Sequence, residues 1–231
     1  MKKAIVLCSG GMDSVITAHY VRKRLKYDKI TLLFFNYGQK SLNSERKSVL
    51  KSARELKADF KKIKLPELKK LSTSLINING EIKKLNKEDL KNTKKESEKW
   101  YVPCRNLIFL SYALALGEKD FVNGRKRNDI FVGFKNEGKE SFSDTTGKFV
   151  ELVNKISHRG SEGKCRIYAP LIKKDKEDIV KLGMKLGVKL QDTFSCYIGN
   201  KKHCGKCLAC MLRKEGFYWA NELDETEYKI N

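Results

Sequence analysis

The sequence predicts an α/β protein with a doubly wound, mainly parallel sheet of five strands. The first observation behind this is alternation, because apolar runs typical of buried strands are separated by segments with helical spacing of apolar residues. The second is that the first two apolar runs end in polar turns that contain glycine. The third is length, since 231 residues suffice for one sizeable α/β domain with a small appendage.

The five predicted strands span residues 4–8, 30–36, 60–65, 130–134 and 167–172. The first, second and fourth are almost wholly apolar, as expected for strands buried on both faces, and the third is weaker. Predicted helices cover residues 13–26, 43–57, 107–115, 149–156 and 175–186, where apolar side chains recur on one face. Ligands of such sheets lie at the carboxyl ends of the strands.

Residues 66–99 differ from the rest of the chain in being rich in Lys, Glu, Asn and Ser. Two interpretations stay open: a mobile lid over the site, or a plain surface insertion. We expect an α/β domain over residues 1–190 that contains this segment. A metal-binding C-terminal segment is expected over residues 191–231.

The first predicted strand leads into a glycine turn and a helix start, a combination that binds anions. The residues of this turn are Cys8, Ser9, Gly10, Gly11, Met12, Asp13 and Ser14. Backbone N–H groups and the positive end of the helix dipole converge there, which favours a phosphate. The turn lacks the spacing of a Walker loop and of dinucleotide-binding folds. Cys8 is interpreted as a buried residue at the strand end, and not as a thiolate nucleophile.

The chain is strongly basic, with a formal net charge of +21. Such a field attracts polyanions such as ATP, pyrophosphate or tRNA, but solvated lysines scattered over the surface give the same total. Charge alone therefore assigns no partner. No apolar run approaches the length of a membrane span, and the first residues lead into a strand and not a signal peptide. We expect a cytoplasmic protein.

Four of the seven cysteines crowd into the pattern C-x7-C-x2-C-x2-C, at Cys196, Cys204, Cys207 and Cys210. Two-residue gaps let a tight turn present neighbouring sulfurs, and four thiolates favour a structural Zn²⁺ with no open coordination position. The alternatives are an iron–sulfur cluster, a redox pair, or His203 in place of one cysteine. The basic residues expected to offset the thiolate charge are Lys201, Lys202, Lys206 and Arg213.

The SGGMDS letters of residues 9–14 resemble the SGGxDS pyrophosphate loop of ATP pyrophosphatases, which split ATP between the α and β phosphates. Further motifs follow: YGQ at 37–39 with Glu45 downstream, VPCRN at 102–106, TFSCY at 193–197, CGKCLAC at 204–210, then Arg213, Gly216-Phe217 and Asp224. Together they resemble the 7-cyano-7-deazaguanine synthase family of queuosine and archaeosine biosynthesis. The resemblance implies the Rossmann-like fold of adenine-nucleotide α-hydrolases, with a C-terminal zinc knuckle and helix.

The resemblance also implies site residues. ATP would lie on residues 8–14 together with Mg²⁺, and Asp13 would orient Mg²⁺ or a loop N–H unless it is only a helix cap. Lys40 and Arg105 would hold phosphate or carboxylate unless they are ordinary surface residues. The residues expected to contact the second substrate are Tyr37, Gln39, Arg105, Asn106 and Asp144.

Two departures from the family pattern affect this expectation. Lys40 stands where the family has arginine, which keeps the charge but loses a bidentate fork. The segment 135–146 is also divergent, with Phe142 to Thr146 in place of a Tyr-Pro-Asp-Cys-Arg run. The identity of the base that is bound is therefore less secure than the chemistry.

The implied reaction converts 7-carboxy-7-deazaguanine and ammonia into the nitrile through adenylated intermediates, in a homodimer. One alternative is a related pyrophosphate-loop enzyme that adenylates another substrate, such as a tRNA base or a different deazapurine acid. Another is a zinc-ribbon nucleic-acid binder in which the glycine turn is incidental. Pyrophosphatases that act on tRNA usually carry additional RNA-binding domains, for which this chain has no room, so direct tRNA binding is not expected.

Overall fold

The computed structural model describes residues 1–82, 85, 89–90, 93–135, 142–198 and 201–229. Its strands are β1 (Lys3–Leu7), β2 (Lys29–Asn36), β3 (Asp59–Lys64), β4 (Asp129–Phe131) and β5 (Ile167–Tyr168). They pair in parallel in the order β3-β2-β1-β4-β5. The predicted five-stranded parallel sheet is confirmed.

The helices of the described chain include five near the predicted positions. They are α1 (Met12–Lys23), α2 (Leu42–Leu56), α3 (Pro66–Lys70), α4 (Lys94–Glu98), α5 (Arg105–Gly124), α6 (Gly147–Gly160), α7 (Lys176–Lys185) and α8 (Leu208–Ala220). Short 3-10 turns lie at Ser143–Thr145 and Leu190–Asp192.

Several boundaries differ from the sequence prediction for local reasons. α1 ends three residues early, and Lys26 beyond it has a φ of 58°, which a continuing helix does not allow. β5 stops before Pro170, which has no N–H to donate to a neighbouring strand. β4 is also short, although Val132 still donates to the Tyr168 carbonyl at 3.0 Å.

The sheet is covered on both faces, which makes the fold doubly wound. Along β1, Ile5 faces the cluster that contains Leu110 of α5, whereas Val6 faces the cluster that contains Ile16 of α1. The first cluster also holds α6 and the four cysteines, and the second holds α2 and α7. Alternating side chains of each strand thus bury helices on opposite sides.

The segment 66–99 is partly packed against this core. Leu68, Ile76 and Leu85 are buried in the same cluster as α5. Residues 83–84, 86–88 and 91–92 lie outside the described part of the chain. The described apolar side chains anchor the segment to the sheet, and its role as a lid stays a prediction.

A search of the described helices finds none that is both long and apolar enough to cross a membrane.

Candidate active site

A cavity of about 330 Å³ opens at the carboxyl ends of the strands. It lies where the strand order reverses, between β1 and β4, which is the position where open parallel sheets bind ligands. Its walls come from residues 7–9 and 11–14, the turn after β2, the start of α5, the segment after β4, and residues 194, 195 and 197. The predicted loop and the predicted substrate turn therefore share one cavity.

The loop after β1 is closed by its own hydroxyl groups. Ser14 Oγ donates to the Gly11 carbonyl at 2.9 Å and accepts from the Ser9 N–H at 3.2 Å. The Gly11 N–H points at Ser9 Oγ, 3.3 Å away. The first N–H groups of α1 have no acceptor within their own helix, so they are available to an anion in the cavity.

Gly10 allows the loop to approach α2. Its φ is +85°, and a Cβ there would lie 2.4 Å from the Glu45 carbonyl oxygen. The Gly10 carbonyl accepts from Ser48 Oγ and from the Phe194 N–H, both at 2.8 Å. Glycine is therefore required at this position by both conformation and space, and the loop is fixed between α2 and the C-terminal segment.

Asp13 is bound to a residue from the other end of the chain. Lys176 Nζ lies 2.7 Å from Asp13 Oδ1 and 2.9 Å from Oδ2, and both side chains line the cavity. Asp13 is the second residue of α1, whose N-cap is Gly11 with no side-chain cap, so the alternative in which Asp13 caps the helix is wrong. The loop thus presents a carboxylate paired with an ammonium group beside the N–H groups of α1.

The turn after β2 is organised by Gln39. Its Oε1 accepts from the Tyr37 N–H at 3.0 Å, and its Nε2 donates to the Phe35 carbonyl and to Glu45 Oε2, both at 2.9 Å. The amide of Gln39 therefore holds the protein backbone, and contact with substrate stays a prediction. Burial raises the pKa of Tyr37 to about 12, so its hydroxyl is protonated at neutral pH.

Arg105 brings a positive charge to the opposite wall of the cavity, at the first residue of α5. Burial disfavours its charge, but the hydroxyls of Tyr37 and Tyr197 and the carboxylate of Asp144 raise the pKa of Arg105 above its ordinary value. The alternative of an ordinary surface residue does not fit this environment. Asn106 also lines the cavity and donates to the Asp144 carbonyl at 3.4 Å.

Two predicted site residues, Lys40 and Asp144, are not among the described residues that line the cavity. The Lys40 N–H donates to the Ile76 carbonyl at 2.9 Å, and desolvation lowers the pKa of its ammonium group. Asp144 is buried and acts on Arg105 through its charge. Roles for both in substrate binding stay predictions.

Cys8 is buried at the end of β1, as expected. Burial raises the pKa of its thiol to about 11, so the thiolate is scarce at neutral pH. Nucleophilic catalysis by this sulfur is not supported.

Aromatic side chains form much of the cavity lining. They include Phe109, Phe134, Phe142, Phe194 and Tyr197. Phe142 also stacks on Tyr101, with ring centroids 5.8 Å apart. Such faces suit a flat heterocycle. Residues 136–141, the centre of the divergent segment, lie outside the described residues.

The four predicted cysteines form one buried cluster beside this lining. Their sulfurs all lie within 4.8 Å of one another, and those of Cys204 and Cys210 are 3.8 Å apart. Four bonds of about 2.3 Å in a tetrahedron would place sulfurs roughly 3.8 Å apart. Cys207 is the N-cap of α8, so the helix start fixes its position.

Backbone N–H groups point at these sulfurs. Cys196 Sγ accepts from Ile198 and Cys204, and Cys204 Sγ accepts from Lys206 and Cys207, at 3.3 to 3.4 Å. These donors stabilise thiolates, and the hydrogen bonds among the cysteines lower the pKa of Cys204. The donor set fits a four-coordinate metal ion.

Two sequence interpretations around the cluster are corrected. His203 does not replace a cysteine, because its Nε2 accepts from the Ser195 N–H at 3.1 Å and its ring packs against Phe194. Arg213 does not offset the thiolates, because its buried guanidinium donates to Asp224, Thr193 Oγ1 and the Leu190 carbonyl. His203 instead joins two parts of the C-terminal segment, and Arg213 joins that segment to the domain through the Leu190 carbonyl.

Sequence reasoning missed three residues of the cavity: Lys176, Glu45 as a site residue, and Tyr197 as a cavity wall. Lys176 lies 163 positions from its partner Asp13, and no local pattern reports such a pairing. Glu45 looked like one more acid in the first turn of a helix. The signal that existed for Glu45 and Tyr197 was their place in the family motifs.

Comparisons with known proteins agree with the motifs. The family model described as "Queuosine biosynthesis protein QueC" matches residues 3–221. A 7-cyano-7-deazaguanine synthase of Methanococcus maripaludis (strain C6) is 39% identical over 239 residues and covers 99% of both chains. One from Methanocaldococcus jannaschii is 38% identical over 241 residues, covering 98% of this chain and 99% of the relative.

Among solved structures, a 4-thiouridine synthetase–RNA complex with bound ATP has a TM-score of 0.47 at 16% identity, covering 94% of this chain and 53% of that one. That likeness is too distant to carry an argument. The family match confirms the resemblance inferred from the motifs. With 219 consecutive positions from 3 to 221 matched by one family model, the chain belongs to the QueC family of queuosine biosynthesis proteins.

Proposed function

We propose that the chain converts 7-carboxy-7-deazaguanine and ammonia into 7-cyano-7-deazaguanine with consumption of ATP, as a C–N bond-forming ligase of queuosine or archaeosine biosynthesis. The observation that carries the proposal is that the anion-binding loop and the half-buried Arg105 guanidinium line one cavity. A nucleotide phosphate and a carboxylate can therefore meet there. Membership of the family and the synthase relatives support the choice of substrate.

The carboxylate of the substrate is a poor electrophile and must be activated. Its oxygen attacks the α-phosphorus of ATP, giving an acyl adenylate and releasing pyrophosphate. The N–H groups at the start of α1 and the ammonium of Lys176 are placed to stabilise charge on that pyrophosphate. Arg105, which lines the same cavity, would orient the carboxylate.

Ammonia then attacks the acyl carbon, and AMP leaves with its phosphate oxygen, which gives the amide. A second adenylation, on the amide oxygen, allows loss of AMP and two protons to form the nitrile. The aromatic residues of the cavity lining would limit the access of water to both intermediates, which would otherwise be hydrolysed.

Two metal ions belong to the proposal. Mg²⁺ bound to ATP would take Asp13 as its protein ligand and otherwise phosphate oxygens and water, the usual preference of this ion. The ion would neutralise phosphate charge. Zn²⁺ on Cys196, Cys204, Cys207 and Cys210 would be structural, because four protein ligands leave no open position.

A homodimer is the proposed assembly. Helices α5 and α6 pack on the same face of the sheet and expose Leu107, Tyr112, Leu152 and Ile156 to solvent. A second copy would cover such apolar side chains. Light scattering of the purified protein tests this, and a monomeric mass at micromolar concentration contradicts it.

The activity is tested with purified protein, ATP, Mg²⁺, ammonium and 7-carboxy-7-deazaguanine. We expect release of pyrophosphate and AMP that depends on the acid, and a product with the mass of the nitrile. Pyrophosphate release that requires tRNA or a different acid would favour the alternative enzyme. No release with a loaded metal site would contradict both.

A further inference from the structure

Glu45 is a carboxylate of the cavity to which the proposed reaction gives no role. It lies in the first turn of α2 and lines the cavity together with Ser41 and Gln39. Ser41 Oγ donates to Glu45 Oε1 at 2.5 Å, and Gln39 Nε2 donates to Oε2 at 2.9 Å. Each carboxylate oxygen keeps a further lone pair, so the group can accept hydrogen bonds from a bound ligand.

The surroundings of Glu45 favour a cationic ligand. Burial raises the pKa of its carboxyl group, although the hydrogen bonds from Ser41 and Gln39 and the charge of Arg105 act in the opposite direction. Among the described residues, the titratable groups that face it are Arg105 from α5 and the Tyr37 phenol from the turn after β2. When the substrate carboxylate or its adenylate lies on Arg105, the half-buried carboxylate of Glu45 keeps only the neutral donors Ser41 and Gln39, which leaves its negative charge without a cation.

The main chain of Glu45 also touches the phosphate loop. A Cβ on Gly10 would lie 2.4 Å from the Glu45 carbonyl oxygen, so α2 begins directly against the loop. The Glu45 carboxylate is therefore in the same cavity as the N–H groups that would hold the phosphates. A small nucleophile bound to Glu45 would be near an acyl adenylate that extends from the loop toward Arg105.

We infer that the Glu45 carboxylate, supported by Ser41 and Gln39, binds ammonium and takes up one of its protons before the C–N bond forms. The inference rests on the proposed function. Ammonia is mostly protonated at neutral pH, and ammonium has no lone pair with which to attack carbon. Transfer of a proton gives a carboxylic acid and NH₃, whose lone pair forms the C–N bond as the C–O bond to AMP breaks. The N-protonated amide that results gives a proton to the phosphate of the departing AMP. Glu45 then returns the proton that it took from ammonium to solvent.

Wild-type protein provides a test without any mutation. If ammonium is the bound species, the KM for total ammonium changes little between pH 7 and pH 8. If only free NH₃ binds, that KM falls about tenfold over the same pH unit, in proportion to the free base, and the inference is overturned. Exchange of labelled pyrophosphate into ATP, dependent on 7-carboxy-7-deazaguanine and measured without ammonium, reports adenylation separately.

Glu45→Gln provides the second test. We expect pyrophosphate exchange within about threefold of wild type, but amide formation from ammonium slower by on the order of 100-fold, the usual contribution of a general base. Hydroxylamine, which is neutral at pH 7, should restore hydroxamate formation in this variant. Glu55→Gln is the matched control, since it removes a carboxylate from the same helix away from the cavity.

The outcomes distinguish failure of the proposed function from failure of the proposed role of Glu45. Absence of acid-dependent exchange in wild type overturns the proposed function. Exchange in wild type with equal losses of exchange and amide formation in Glu45→Gln overturns only the role of Glu45 as a base. Full activity of Glu45→Gln with ammonium at pH 7 does the same.

Discussion

Lys176 at the start of α7 holds both carboxylate oxygens of Asp13 at the start of α1, at 2.7 and 2.9 Å. The pair is only partly buried, with 18% and 26% of the side chains exposed, so neither charge is locked away from a ligand. An arriving polyphosphate would compete with Asp13 for the ammonium group, while a divalent cation would compete with Lys176 for the carboxylate. The opposite charges of Asp13 and Lys176 thus balance each other without a ligand, and charged ligands can break the ion pair.

Lys176→Ala should weaken binding of a non-hydrolysable ATP analogue by on the order of tenfold, corresponding to about 1.4 kcal/mol for one charge-assisted contact. Lys176→Arg should retain most of the affinity because the charge remains. Calorimetric titration in the presence of Mg²⁺ measures both. Lys181→Ala, an exposed lysine of the same helix, is the control, and equal affinity in both alanine variants would show that Lys176 does not contact the phosphates.

Gly10→Ala should destabilise the protein and abolish nucleotide binding. The left-handed φ of +85° costs an alanine about 1–2 kcal/mol, and its Cβ would lie 2.4 Å from the Glu45 carbonyl oxygen, which cannot move without α2. Urea unfolding should show a loss of at least about 2 kcal/mol.

The matched control is Gly124→Ala in α5, where a Cβ meets no atom within 4 Å. This change should be neutral or stabilise by about 0.5–1 kcal/mol, as expected for alanine in a helix. A Gly10→Ala variant as stable as Gly124→Ala would contradict the close approach of the loop to α2.

The strands, the glycine loop and the cysteine cluster were predictable from sequence because each depends on residues that are close together in the chain. The apolar run of β1, the Gly10-Gly11 turn and the C-x2-C spacings need no knowledge of the rest of the chain. The pairs Asp13–Lys176 and Arg213–Asp224 could not be predicted in this way, since their partners are brought together only by the folded sheet and the C-terminal segment. Arg213 is an example. Its place near the cysteines in sequence suggested that it offsets the thiolate charge, but its guanidinium donates to Asp224 instead.

Removal of the cluster's metal should loosen the C-terminal segment. We expect about one zinc per chain by elemental analysis, and a lower melting temperature after incubation with a strong chelator, because bound metal stabilises only the folded site. Cys204→Ser should lose the metal, whereas Cys104→Ser, at an exposed thiol outside the cluster, should keep it. Iron with acid-labile sulfide in the purified protein would instead establish the iron–sulfur alternative.

Asp224→Asn should be destabilising at pH 7. The guanidinium of Arg213 is fully buried and Asp224 is its charged partner, so loss of the carboxylate leaves a buried charge uncompensated, at a cost of about 3–5 kcal/mol. Urea unfolding measures the difference. Asp192→Asn, at a more exposed ion pair with Lys51, is the control and should cost less than about 1 kcal/mol.

The same pair should give the protein an acid-sensitive component of stability. Burial alone would raise the pKa of Asp224, but Arg213 and the donors Thr226 and Tyr228 hold that pKa below its ordinary 3.8. The folded state therefore binds its proton less readily than the unfolded state, and the stabilisation present above pH 3.8 is lost as the pH falls through the folded pKa. Asp224→Asn should lose less stability than wild type between pH 5 and pH 3, and equal losses would contradict the assignment.

His19 should make a second, separate contribution to pH dependence, between about pH 6.5 and pH 4. It is buried between α1 and α2, and desolvation, with the charge of Lys23, lowers its pKa from 6.5 to about 4, although Glu55 Oε2 lies 3.6 Å from its Nε2. The unfolded chain binds the proton more readily, so stability falls as the pH drops from about 6.5 to 4, by up to about 3 kcal/mol. His19→Leu should flatten the dependence of unfolding free energy on pH in this range. His158→Leu, at an exposed histidine, should retain the wild-type slope, and a retained slope in His19→Leu would place the effect elsewhere.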